Sequence, residues 1–224
     1  SSVVYGNDIT FTTRATPRLT QYVNTIGTSN QCGSHTLGNG VQYIDIVTIG
    51  GGGGGANVDR PSALTRWVMG AGGNASGLNS VRTSSGGASV LNYCIGGAGG
   101  LSGGAIKNGV SGSNGGATSV SRGGQTLVSS AGGAGGGSII SCANGRTCSC
   151  IPSGMTPSPQ SITLAGQNGG TTQTYSAGAG GSSCSTYMCA AGVGAGGSGG
   201  GRDTPRGTWP VCQGGPGAVW IYEY

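Results

Sequence analysis

Hydrophobic and polar positions alternate with a period of two in several short runs, and nearly every such run passes directly into glycine. The longest covers residues 41–49, VQYIDIVTI, with Val41, Tyr43, Asp45, Val47 and Ile49 on one face and Gln42, Ile44, Ile46 and Thr48 on the other. β-Branched and aromatic residues at that period predict a pleated, mostly buried strand. Six glycines follow without a break: Gly50, Gly51, Gly52, Gly53, Gly54 and Gly55. Glycine loses more conformational entropy on ordering than any other residue, so such a run is either a flexible linker or a place where backbones must touch.

The strand-then-glycine pattern returns at residues 63–69 before GAGG, 88–95 before GGAGG, 125–128 before SSAGGAGGG and 161–164 before AGQNGG. A strict Gly-X-Y period is absent, which excludes collagen. What remains is either polyglycine-II-like packing, with three residues per turn and backbones close enough for N–H···O and Cα–H···O contacts, or long loops on a β scaffold. Asn-Gly pairs at 39, 108, 114, 144 and 168 supply reversals. The closing run, residues 218–224, places Trp220, Tyr222 and Tyr224 on one face and Val219, Ile221 and Glu223 on the other. A strand this aromatic needs covering, and is expected beside the strand at 41–49 or as a contact surface. Residues 1–31 are ordinary in glycine and carry two strand-like runs, 3–5 and 9–13, before Pro17. They read as an N-terminal arm or a first pair of strands. As an arm they would add to a neighbour's sheet through Val3, Val4, Tyr5, Ile9 and Phe11. Residues 32–224 read as one glycine-rich β domain.

Composition sharpens this. Glycine is 53 of 224 residues, about a quarter of the chain against a usual ~7%. Val, Ile, Leu and Phe together make roughly 16%, below the level at which disorder is suspected. Disorder also needs high net charge, and here the charge is +5 with 7% charged residues. The fold must therefore rest on close backbone packing, cross-links or partner subunits more than on a large aliphatic core. Eight cysteines, Cys32, Cys94, Cys142, Cys148, Cys150, Cys184, Cys189 and Cys212, beside a single lysine suggest an oxidised, extracellular disulfide framework. Cys142 with Cys148, around an Asn-Gly turn, and Cys184 with Cys189 are the local pairs expected, which leaves Cys150 to reach elsewhere. No apolar stretch approaches the ~20 residues needed to cross a bilayer, so membrane insertion is not expected. The start at Ser1 suggests processing.

Motifs for chemistry are weak. Gly50, Gly52 and Gly55 satisfy G-x-G-x-x-G, but any hexaglycine does, and Pro61 interrupts a following helix. His35 is the only histidine, no Cys-x-x-Cys occurs, and the five acids form no evident pair, so no metal, cofactor or catalytic residue is expected. The nine arginines are spread out without interleaved aromatics, which argues against a nucleic-acid interface. Asn74-Ala75-Ser76 is the one N-glycosylation sequon.

Several stretches, taken in order, resemble a known family. They are TIGTSNQCGSHTL, GNGVQYIDIVTIGGGGGGA, LTRWVMGAGG, GGASVLNYCIGGAGG and the closing GGPGAVWIYEY. From residue 25 onward the pattern is similar to the glycine-rich domain at the tips of bacteriophage tail fibres and in related surface proteins. That resemblance implies a β-sandwich or jelly-roll base carrying polyglycine helices, no catalysis, and variable loops that touch a host receptor. Eight cysteines and the arm before residue 25 depart from it, and both suit a secreted subunit that cross-links outside the cell.

The expectation is an all-β, disulfide-stabilised protein: a β-sandwich or jelly-roll-like base with polyglycine-II-like layers and long loops. It would be non-enzymatic and sited at a cell or virion surface. It would serve as a subunit of a filament of itself, assembled through its arm, sheet edges and disulfides. The alternative is a fibre-tip adhesin for an outer-membrane protein or glycan receptor, with loops around residues 57–60, 74–82, 153–160 and 202–209 carrying recognition. Ice binding by a flat glycine face is a remote third.

Overall fold

The computed structural model describes residues 18–56, 68–69, 73–87, 90–100, 111–137, 140–141, 161–164, 173–176, 192–195, 201–203, 207–209 and 211–224. The assembly residues Val3, Val4, Tyr5, Ile9 and Phe11, the expected pairs Cys142–Cys148 and Cys184–Cys189, and Cys150 lie outside them. So do the stretches 57–60 and 153–160.

The described residues form an all-β structure without helix. In chain order the strands are β1 (Arg18–Val23), β2 (Gln31–Thr36), β3 (Tyr43–Ile49), β4 (Val68–Met69), β5 (Leu78–Ser84), β6 (Val90–Ile95) and β7 (Thr118–Arg122). There follow β8 (Gln125–Ser130), β9 (Ile140–Ser141), β10 (Ser161–Leu164), β11 (Gln173–Ser176), β12 (Gly201–Asp203), β13 (Gly207–Trp209) and β14 (Ala218–Glu223). Two four-stranded antiparallel sheets dominate, ordered β1-β14-β3-β5 and β2-β6-β7-β8. A smaller sheet runs β13-β12-β4-β9, and β10 pairs with β11. The terminal strand β14 does lie beside β3, with Ile221 opposite Ile46 and Val219 opposite Thr48.

The alternation read from the sequence is obeyed. Ile44, Ile46, Val219 and Ile221 of the first sheet meet Leu91, Ile95, Val120 and Val128 of the second, together with Leu37, in one buried cluster. On the opposite face Val47, Ile49 and Leu78 are buried, with Tyr175, Val193 and Trp220 packed against them. β3 is thus covered on both sides, which is why its hydrophobic run is nearly continuous. Two of the stretches expected as loops are corrected. Residues 78–84 form β5, paired along its length with β3, and residues 201–203 and 207–209 are the paired strands β12 and β13. Their mostly polar side chains hid them: of β5 only Leu78 is buried, with Val81 partly buried on the opposite face. The β7–β8 hairpin turns on Gly123 (φ 57°) and Gly124 (φ 84°), the left-handed pair that a two-residue hairpin requires.

Beyond the ends of these strands the glycine-rich segments hydrogen-bond to one another. The N–H groups of Gly50 and Gly53 donate to Gly77 and Asn74, those of Gly51 and Gly54 to Gly116 and Ser113, and those of Gly52 and Gly55 to Gly215 and Cys212. Successive residues therefore address three neighbours in rotation, and positions three apart address the same neighbour. Carbonyls return the pattern. Gly51 and Gly54 accept from Gly133 and Gly136, and Gly52 accepts from Gly99. The neighbours also bond to each other around the outside. Gly77 donates to Ala131, Gly115 to Gly133, Gly116 to Gly97, Gly214 to Gly99 and Gly215 to Ala195. Ser76 donates to Gly194, which closes the ring. The hexaglycine sits in the middle, all six of its residues buried. A Cβ on Gly50, Gly51, Gly52 or Gly53 would strike the carbonyl oxygen of Ala131, Gly97, Ala195 or Ala134 at well under 3.0 Å, so only glycine fits.

Candidate functional site

Sheet order places β1 and β2 at the outer positions of the two main sheets, and the contacts of Tyr22 with His35 and Tyr93 put them on the same side. On the opposite side β5 is tied to β8 and to the end of β7. The Asn79 Nδ2 group donates to Ser129 O at 2.9 Å, and Arg122 Nη1 donates to the carbonyls of Ser84 and Ser85 at 2.6 and 2.8 Å. The side bounded by β1 and β2 is bridged by the Tyr22–His35 contact, and among the described residues no further strand pairs with the outer edge of either. It presents exposed Leu19 and, at the tip of the connecting turn, exposed Ile26. Arg18 is its one charged residue on these two strands, and neither strand holds proline or lysine, the residues that usually blunt an edge.

A buried polar clasp holds the two edges in place. His35 on β2 is 3% exposed and joins Glu223 of β14, Nε2 to Oε1 at 2.9 Å. Its Nδ1 meets the Tyr22 hydroxyl of β1 at 2.8 Å. The second Glu223 oxygen accepts from the Gly38 N–H at 2.6 Å, and Arg18 Nε stands 4.0 Å from the first. Tyr22 stacks on Tyr93 with ring centroids 4.4 Å apart. Burial pushes the Tyr22 phenol above its ordinary value, and Tyr93 adds to the shift. Tyr93 lies over Gly33, where a Cβ would meet its hydroxyl at 2.6 Å, which explains a glycine in mid-strand. Cys32 and Cys94 face each other across β2 and β6 and form a disulfide. Asn24 fixes the turn between β1 and β2. Its Nδ2 donates to Ser29 O at 2.8 Å and Ile95 O at 3.0 Å, and its Oδ1 accepts from the Ile26 N–H at 2.9 Å.

A second polar cluster lies on the outer face of the first sheet. Arg82 of β5 reaches Asp45 of β3 in a bidentate pair, with Nε donating to Oδ1 at 2.6 Å. The Asp45 side chain is 2% exposed, the Arg82 side chain 43%. Burial and then the Asp45 charge push the Tyr224 phenol up to about 12, and the same two causes raise Tyr222.

The sequence-derived residues divide accordingly. Gly50 to Gly55 are brought together with six other segments, Cys32 and Cys94 with each other. Cys212 is disulfide-bonded as well. With Cys32 and Cys94 already paired, its partner within the chain is one of Cys142, Cys148, Cys150, Cys184 or Cys189. His35 joins Glu223, a partner 188 positions away that no local pattern could signal. Among the described residues no group of three or more His, Cys, Asp or Glu side chains could hold a metal, and no helix is long and apolar enough to cross a membrane. No protein-family model matches the chain, and no curated protein matches it.

Proposed function

We propose that this protein is a non-enzymatic structural subunit of an extracellular or virion-surface fibre that assembles with further copies of itself. The observation that carries the reading is the side formed by β1 and β2, where among the described residues no further strand pairs with either edge. The two outermost strands lie together there, held by a buried clasp, with exposed apolar residues beside them. A rigid body with one open edge is what strand-mediated polymerisation needs.

The remaining features support a β-sandwich base continued by polyglycine-II-like layers. The two main sheets share one buried cluster. The period-three rotation of donors along residues 50–55 agrees with a helix of three residues per turn surrounded by six others. Such packing stiffens a particle without a large aliphatic core, which suits a load-bearing element. Disulfides at Cys32, Cys94 and Cys212 favour an oxidising location. The buried groups of His35, Glu223 and Asp45, the last with the exposed Arg82, are used to join strands.

Negative-stain electron microscopy of the material as isolated, beside reducing and non-reducing gels, tests this. Regular fibres built mainly of this chain are the expected result. Single copies or trimers at the end of a larger fibre, unaffected by reductant, would overturn it in favour of a receptor-binding tip.

A further inference from the structure

We infer that the edge of β1 turned away from β14, with which no described strand pairs, is the acceptor for an added strand, and that the strand is residues 9–13 of a second copy of this chain. This rests on the fibre reading above. The direction of the edge follows from the register. The Asn24 N–H donates to Gly217 O at 3.1 Å, one step beyond the paired residues Val23 and Ala218. In an antiparallel ladder, backbone groups alternate between the partner and the open side. Asn24 and Tyr22 therefore turn their N–H and C=O groups towards β14, while Leu19, Gln21 and Val23 turn theirs outwards. The opposite edge is a poor acceptor, because Arg122 spans it to Ser84 and Ser85.

The occupant is argued from the chain that precedes β1. Residues 9–13, ITFTT, alternate apolar Ile9 and Phe11 with threonine, the composition of a half-buried strand. Laid along β1, they would satisfy its outward backbone groups. Ile9 and Phe11 could then cover the stacked Tyr22 and Tyr93, which are only partly buried at the open end of the core. Return of the same copy's residues onto its own β1 would require a reversal within residues 14–17, Arg-Ala-Thr-Pro. These contain no Gly, Asn or Asp, and proline favours extended backbone at the residue before it. A linker of four extended residues spans up to about 13 Å and leads naturally to a neighbour.

The test uses the full chain with Gln21→Pro. Because the Gln21 N–H faces outwards, proline removes no bond within the subunit's own sheet but blocks the incoming strand. The variant should keep the wild-type circular dichroism and melting temperature, and its critical concentration for polymerisation should rise by about tenfold or more. In parallel, fibres are grown from mixed isotopically heavy and light chains carrying a photoreactive benzoyl group on the Phe11 ring. Cross-links between heavy and light copies to the peptide containing residues 19–23 are expected. A folded Gln21→Pro protein that polymerises like wild type, or cross-links confined to single copies, would overturn the inference while leaving the fibre reading intact. Failure of the wild-type protein to polymerise would overturn the fibre reading itself.

Discussion

Replacing Gly52 by alanine places a methyl group in the middle of the glycine-rich ring, and the consequence can be worked through bond by bond. The new Cβ meets the carbonyl of Ala195 at well under 3.0 Å, whereas ordinary contact is 3.4–4 Å. The two backbones must part until that separation is reached. Gly52 donates to Gly215 at 2.9 Å and accepts from Gly99 at 2.7 Å, and the struck carbonyl itself accepts from Gly215 at 2.6 Å. Such a displacement takes two or three of these buried bonds beyond hydrogen-bonding range. At ~1–2 kcal/mol each the loss is about 3–5 kcal/mol. Alanine returns ~0.4–1 kcal/mol by restricting the unfolded chain, so the net cost is about 3–4 kcal/mol. For a protein of this size that lowers the melting temperature by about 10 °C. Gly137→Ala is the control, since among the described residues nothing lies within 4 Å of its Cβ position and its φ is not positive. It should melt within about 2 °C of wild type. Thermal unfolding followed by circular dichroism separates the two outcomes. If Gly52→Ala melts with the control, the hexaglycine is a tolerant linker and the close-packed account of it is wrong.

Replacing Cys32 and Cys94 together by serine opens a disulfide of sequence separation 62 and should cost about 4 kcal/mol in urea unfolding. A loss below about 1 kcal/mol would mean that β2 is held by the clasp alone. Arg82→Ala strips the buried Asp45 carboxylate of its bidentate partner. Because Arg82 is itself 43% exposed, the expected cost is about 2–3 kcal/mol, less than for a fully enclosed pair, and an unchanged urea midpoint would refute it. Tyr224 is pushed up to about 12 in the fold by burial and by Asp45, against ~10 in the unfolded chain. The folded protein therefore holds the extra proton between those values, so stability should be intact below pH ~10 and fall as pH rises towards ~12. Urea midpoints that stay level across that window, or that fall equally in Tyr224→Phe, would contradict the assignment.

What could be read in advance was set by where side chains carry the information. β3 and β14 announce themselves because Ile44, Ile46, Val219 and Ile221 alternate with residues buried on the other face. β2, β5 and β7 do not, since QCGSHT, LNSVRTS and TSVSR hold few apolar residues. Several of their inward positions, such as His35 and Thr118, are polar groups satisfied by distant partners. Those partners come from topology. Cys32 meets Cys94 only because β2 pairs with β6, and spacing alone favoured shorter loops. The hexaglycine is an intermediate case. Its composition reduces the choice to a linker or a close approach, and only the identity of its neighbours decides between them.

Those neighbours also constrain how the chain can fold. The six N–H groups of residues 50–55 are satisfied by carbonyls drawn from Asn74 to Gly215. An isolated glycine run has no side chains to hold it and the largest entropy to lose. It can therefore order only once β5, β7 and β14 have delivered the segments beside them. The last of these, residues 211–217, leads into β14, which also supplies Glu223 to the His35 clasp and the strand that β1 leans on. Ordering of the glycine centre, insertion of β14 and pairing of β1 with it are thus expected to be one cooperative event. Contacts so distant in sequence make that event slow. If β1 accepts an added strand as proposed, a chain built this way would present that edge only after its centre is complete, which would keep unfinished subunits from recruiting strands.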